Sequence, residues 1–267
     1  MSGADAGARH GWATFAGDRL HFVRTGDGPA LLLLHGAYGS GEGLLATPFG
    51  AALKARFSIL APDSLGHGLS DAPADPDRYR ARRRADQLAA VLDAAGVASA
   101  HVCGYSMGGW MASALATFHP ERLLSLTIGG WDVVEGMYTP ARLWGLEKID
   151  YEILTGMIRT SRPELLADRS PEREPGLAAA INGMNDLDGL ADGVLRCGVP
   201  TAIWMGRDDA YDAAARRFAG EHDLTYLSLP GDHAGVLHEH GVSAAGAVAD
   251  FIAAAAHATE DRPCTHD

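Results

Sequence analysis

The stretch from Val102 to Trp110 constrains this chain more than any other. The apolar run Val102-Cys103 breaks into Gly104-Tyr105-Ser106-Met107-Gly108 and then continues as a helix-forming segment. Glycines two places before and two places after the serine leave room for a sharp strand-to-helix turn, which projects the hydroxyl from the sheet edge. A serine hydroxyl is a weak nucleophile until a base takes its proton, so the motif requires a histidine and an acid elsewhere. In a chain with 33 glycines the pentapeptide arises easily by chance, and its weight comes from what surrounds it.

The surroundings have the periodicity of an α/β sheet. Trp12 to Phe15 and Leu20 to Thr25 read as a hairpin around Gly17-Asp18, followed by the apolar strand Ala30 to Leu34. Further strands are expected at Phe57 to Ala61, Ala100 to Gly104, Leu123 to Ile128, Pro200 to Met205 and Thr225 to Leu229. Helices are expected at Tyr79 to Ala95, ending at Gly96, at Met107 to His119, stopped by Pro120, and at Ala244 to Ala256. Continuously apolar strands alternating with helices imply a mostly parallel sheet of roughly eight strands, covered on both faces and led by an antiparallel hairpin.

Residues 131–192 break that rhythm with short helical patches at Ala141 to Lys148, Tyr151 to Arg159 and Leu177 to Met184 and no strand. A connection this long, placed over the carboxyl ends of the strands, reads as a helical lid. The expected organisation is a core of 1–130, a lid of 131–192, a second core part of 193–257 and a flexible tail of 258–267.

Composition excludes several classes of function. With 22 Lys plus Arg against 34 Asp plus Glu the net charge is −12, which repels nucleic acid and anionic membranes. The basic run Arg78 to Arg84 reads as a solvated helix face. Three scattered cysteines, Cys103, Cys197 and Cys264, suit neither a disulfide framework nor a zinc site, and no targeting segment or membrane span is evident. A cytoplasmic location follows as the expectation. No metal and no cofactor is assigned. His233, His238 and His240 lack a matching carboxylate constellation, and no Gly-x-Gly-x-x-Gly follows a first strand.

Base and acid candidates lie just past strand ends. Gly206-Arg207-Asp208-Asp209 follows the strand Pro200 to Met205, and Pro230-Gly231-Asp232-His233 follows Thr225 to Leu229. The order serine, aspartate, histidine is the one used with nucleophile elbows. Asp208 or Asp212 would alternatively cap the helix that starts near Ala213.

Taken together, these segments resemble the α/β-hydrolase fold superfamily over nearly the whole chain. Leu34-His35-Gly36-Ala37-Tyr38-Gly39-Ser40 is similar to its His-Gly loop, Pro62 to Asp71 to its Gly-His-Gly-x-Ser loop, and Gly206 to Asp209 to its acid turn. The resemblance implies Asp209 as the acid, with Asp208 second and Asp132, at the end of the preceding strand, as a third candidate. Asp212 stands where relatives often have proline. His35 and His67 belong to loop motifs and take structural roles. Met107 supplies one oxyanion donor through its backbone N–H, and the resemblance implies Ala37 as the other. Tyr38, Trp131, Tyr138 and Trp144 are expected to line a substrate pocket.

The function so implied is hydrolysis of a small-molecule carboxylic ester or lactone through an acyl-enzyme. Ser106 is the nucleophile, His233 the base and then acid, and Asp209 the orienting group. Relatives that open epoxides or remove halides carry aspartate at the elbow, which argues against those activities. The alternatives are a C–C bond hydrolase of vinylogous diketones, with Arg142, Arg159 and Arg162 as available clamps, a cofactor-free perhydrolase, and a ligand-sensing receptor.

Overall fold

A computed structural model describes residues 7–167 and 170–260, so Cys264 and residues 261–267 of the expected tail lie outside the described residues. The strands are β1 (Arg9–Phe15), β2 (Asp18–Thr25), β3 (Ala30–Leu34), β4 (Ser58–Pro62), β5 (Ala100–Tyr105), β6 (Leu123–Gly129), β7 (Thr201–Gly206) and β8 (Thr225–Leu229). They form one eight-stranded sheet in the order β1-β2-β4-β3-β5-β6-β7-β8. β1 pairs antiparallel with β2, and β2 with β4; all other pairs are parallel.

The continuous apolar strands are explained by two cores. Leu32, Leu34, Val102, Ile203 and Met205 face one helical layer, whereas Leu31, Leu33, Cys103 and Trp204 face the other. Successive strand side chains point to opposite faces, so a strand buried on both sides has no polar positions to alternate with. The first layer contains α3 (Ala81–Ala94), α4 (Met107–Phe118), α8 (Leu190–Arg196) and α9 (Asp212–Glu221). The second contains α1 (Gly41–Leu45), α2 (Pro48–Lys54) and α10 (Gly241–Glu260).

Several expectations are corrected. The hairpin turns on Ala16-Gly17, with φ of 50° and 90°, because Phe15 pairs with Asp18. Two positive φ values match the twist of tight hairpins. Helices α1 and α2 were not expected from the sequence: at five and seven residues they are too short to show a helical period. Asp212 is the first residue of α9, with Tyr211 as N-cap, and no side chain caps that helix. The Asp212 carboxylate instead accepts from Arg216 and from the Tyr226 hydroxyl. The final helix runs on to Glu260, past the expected start of the tail.

The basic run is only partly a solvated face. Arg78 pairs with the buried Asp18, and Arg80 pairs with Asp77 at the surface. Arg84 is fully buried, its guanidinium 4.8 Å from the centre of the Tyr79 ring and donating to the Leu65 carbonyl and to Gln87 Oε1. Burial lowers its pKa to about 10, so it stays charged at neutral pH.

Between β6 and β7 lie α5 (Tyr138–Leu143), α6 (Tyr151–Ser161) and α7 (Glu174–Asn182), with short 3₁₀ turns. Helix α8 packs on α4, where a Cβ on Gly193 would lie 2.0 Å from Thr117 Oγ1.

Candidate active site

The bend at the end of β5 is set by close packing. A Cβ on Gly104 would lie 2.0 Å from the Gly108 carbonyl oxygen, and one on Gly108 would lie 2.1 Å from the Leu34 carbonyl oxygen. Strand, bend and helix α4 fit together only without those side chains. Gly104→Ala is therefore expected to destabilise the fold by about 1–3 kcal/mol or more, measured as a lower denaturant midpoint; an unchanged midpoint would contradict this packing.

Ser106 takes the strain of the bend, with φ 57° and ψ −119°. Such a conformation costs on the order of 1–3 kcal/mol and persists only where its surroundings hold it. Here the Ser106 N–H donates to the Gly129 carbonyl (2.8 Å), and its carbonyl accepts from the Gly109 and Trp110 N–H groups. Met107 opens the twelve-residue α4, so its N–H has no partner within the helix and points the way the helix dipole attracts an anion.

Three side chains from three strand ends meet. Ser106 Oγ lies 3.1 Å from His233 Nε2, and His233 Nδ1 lies 2.8 Å from Asp209 Oδ2. A carboxylate only accepts, so Nδ1 carries the proton and Nε2 is left to accept from the serine hydroxyl. The second oxygen of Asp209 accepts from the Tyr211 N–H, which fixes the carboxylate, and its side chain is 1% exposed. Burial works to lower the His233 pKa, but the Asp209 carboxylate, by charge and hydrogen bond, and the charge of Asp232 outweigh it, so the net shift is upward. This arrangement can take a proton from Ser106 and hold it on an imidazolium.

Neither of the other two candidate acids, Asp208 and Asp132, hydrogen-bonds His233, whose Nδ1 is taken by Asp209. Asp208 is exposed. Asp132 is buried, but its carboxylate is occupied by the Val134 N–H and the Thr139 hydroxyl.

The loop after β3 lies against the serine, since a Cβ on Gly36 would be 3.3 Å from Ser106 Cβ. His35 shapes that loop: its Nε2 accepts from the Ser64 N–H, so Nδ1 donates to the Gly36 carbonyl. Ala37 follows directly. His67 is buried beside His35 with neither ring nitrogen hydrogen-bonded among the described residues. Burial, His35 and Arg84 all hold it neutral. Among the described residues no group of three or more His, Cys, Asp or Glu side chains is arranged to hold a metal, and no helix is long and apolar enough to cross a membrane.

The expected pocket residues separate. Trp131 is fully buried, its ring 5.9 Å from that of Tyr211, which in turn lies tilted 5.8 Å from the His233 ring. Tyr138 and Trp144 are 40% and 50% exposed on the outer side of α5 and just beyond it. Tyr38 is tied to α6 through Thr155.

Sequence reading missed Tyr105. Its hydroxyl donates to the His233 carbonyl (2.6 Å) while its ring packs on both His233 and Trp204. Its place beside Ser106 was the available signal, but a tyrosine in an apolar run reads as strand core. Tyr105→Phe should leave that carbonyl unsatisfied at a cost of about 1–3 kcal/mol and lower kcat through a looser His233. Equal kcat in the two proteins would remove Tyr105 from any positioning role.

The chain is similar to known proteins in sequence and in fold. A family model described as alpha/beta hydrolase fold matches residues 29–155. The chain is 31% identical over 218 residues to 2-hydroxymuconate semialdehyde hydrolase of Pseudomonas putida, covering 73% of this chain and 75% of that one. It belongs to the α/β-hydrolase fold family. Within that family it is also 35% identical over 115 residues to bifunctional epoxide hydrolase 2 of Mus musculus, a match covering 43% of this chain and 21% of that protein. The crystal structure of the enol-lactonase from Burkholderia xenovorans LB400 superposes with a TM-score of 0.71 at 23% identity, covering 91% of this chain and all of that one. The α/β-hydrolase sheet and its two helical layers are thus common to proteins with different names and substrates, and the fold alone does not choose among them.

Proposed function

We propose that this α/β-hydrolase is a serine hydrolase that cleaves a small-molecule carboxylic ester or lactone. The observation that carries the reading is the unbroken hydrogen-bonded line from Asp209 through His233 to Ser106. Ser106 Oγ attacks the carbonyl carbon as His233 Nε2 takes its proton. The oxyanion is received by the N–H groups of Met107 and Ala37, a kind of donor whose loss typically costs on the order of 10²–10³ in rate. The C–O bond breaks as His233 returns the proton to the leaving oxygen. Water, deprotonated by the same imidazole, then hydrolyses the acyl-serine.

The likeness to 2-hydroxymuconate semialdehyde hydrolase favours a second reading, cleavage of a C–C bond beside a carbonyl. The lid arginines give it little support: Arg142 is paired with Glu135, Arg162 with Glu164, and Arg159 is exposed.

The test is mass spectrometry after exposure to a fluorophosphonate. Labelling at Ser106 that disappears in Ser106→Ala and His233→Ala supports the reading and justifies a panel of p-nitrophenyl esters, lactones and vinylogous diketones. An unlabelled wild-type protein counts against it.

A further inference from the structure

The imidazole of His233 projects from a short turn that is fixed on both sides of the residue. Upstream, the Arg207 N–H donates to the Leu229 carbonyl (2.8 Å) and the Asp208 N–H to the Gly231 carbonyl (3.1 Å), which ties the acid turn to the histidine turn. Downstream, Asp232 Oδ1 accepts from the N–H groups of Ala234 (3.0 Å) and Gly235 (2.7 Å). Gly235 is buried, so its N–H requires a partner inside the protein, and the Asp232 side chain supplies it. The fit is close: a Cβ on Gly235 would lie 3.2 Å from the same oxygen.

Asp232 also brings a charge. The two N–H groups hold its carboxyl below the usual range, so it is ionised wherever His233 titrates. The groups that face His233 are Asp209 from the turn after β7, Asp232 itself, and the rings of Tyr105 and Tyr211, whose hydroxyls burial keeps neutral. Arg162, just past α6, acts on Asp232 by charge.

We propose that Asp232 is a positioning residue whose side-chain oxygen holds the His233 turn so that Nε2 meets Ser106, and whose charge faces the imidazolium formed there. The proposal rests on the serine-hydrolase reading. Asp209 grips the ring at Nδ1 alone, and a ring held at one nitrogen swings about that bond unless its backbone is also fixed. Tyr105 fixes the backbone at the His233 carbonyl, and Asp232 fixes it at the two residues that follow.

The experiment separates the oxygen from the charge. Asp232→Asn keeps an oxygen that accepts from the turn and loses the charge; Asp232→Glu keeps the charge and displaces the oxygen; Asp232→Ala loses both. Asp232 is exposed, so none of these replacements empties a core site. Steady-state hydrolysis of p-nitrophenyl acetate is followed across pH, and Ser106 labelling by a fluorophosphonate is timed by intact mass. In Asp232→Glu and Asp232→Ala the high-pH kcat is expected to fall by about tenfold to a hundredfold, the scale of a small misplacement at the reacting atoms. Asp232→Asn should stay near wild type. The midpoint of kcat/KM should move to lower pH in Asp232→Asn and Asp232→Ala, because a negative charge that favours the imidazolium is gone. It should stay in place in Asp232→Glu. A wild-type kcat in Asp232→Glu, or a loss in Asp232→Asn as large as in Asp232→Glu, overturns the positioning role; an unmoved midpoint in Asp232→Asn overturns the role of the charge. Both outcomes leave the hydrolase reading intact. A wild-type protein that neither hydrolyses the ester nor labels at Ser106 overturns that reading and this proposal with it.

Discussion

Alanine at Ser106 or at His233 is expected to reduce kcat on the order of 10⁶-fold, because the nucleophile and its base act as one unit and neither retains its function alone. The two losses should be nearly equal, and the double variant should be no worse than either. On the proposed mechanism, what survives is catalysis by the binding site and by the N–H groups of Ala37 and Met107, which a side-chain change at position 106 leaves in place. The measurement is steady-state hydrolysis of an activated ester, with circular dichroism showing that each variant is folded. Ser106 is partly exposed and His233 has a side chain 44% exposed, so neither replacement empties a core site. A folded Ser106→Ala protein that turns over ester at the wild-type rate would falsify the assignment.

Asp209→Asn carries the next largest effect. An amide can present its N–H₂ to Nδ1 and so favour the tautomer with its proton on Nε2, which can no longer accept from Ser106. A loss on the order of 10⁴-fold in kcat is expected from that change in tautomer. The variant also carries a pH signature. His233 acts as base only when neutral, and its pKa lies above the ordinary 6.5 because Asp209 and Asp232 outweigh the effect of burial. Activity in kcat/KM should therefore rise with pH through a midpoint above 6.5 and be lost as pH falls through it. Removing the Asp209 charge leaves burial to act against Asp232 alone, so the residual activity of Asp209→Asn should titrate with a lower midpoint. A midpoint that stays where it was would mean that Asp209 is not what holds the imidazolium.

A glycine-flanked serine between strand and helix, a histidine and an aspartate just past later strand ends, and their chain order were all legible in the sequence. So were the eight strands: the central ones, buried on both faces, are mostly apolar runs, and the edge strands β1 and β8, which keep exposed positions, are bounded by turn residues. The ends of elements were less legible: the hairpin turn moved by one residue because backbone φ, not composition, selects it. Arg84 shows a deeper limit. In the run Arg78 to Arg84 nothing in residue type distinguishes the one guanidinium that stacks on Tyr79 in the core from its neighbours in water.

By itself the sequence determined the layered α/β architecture and singled out Ser106 and His233 as the candidate nucleophile and base, because hydrophobic periodicity and the glycine spacing are local properties of the chain. Only the tertiary structure separated Asp209 from Asp208 and Asp132, by placing one carboxylate 2.8 Å from His233, leaving the second in solvent and occupying the third with Thr139. Only it could join Tyr105 to His233 across 128 residues and Tyr38 to Thr155 across 117. Such contacts depend on which strand ends are neighbours in the sheet, and that order is a property of the whole fold rather than of any segment.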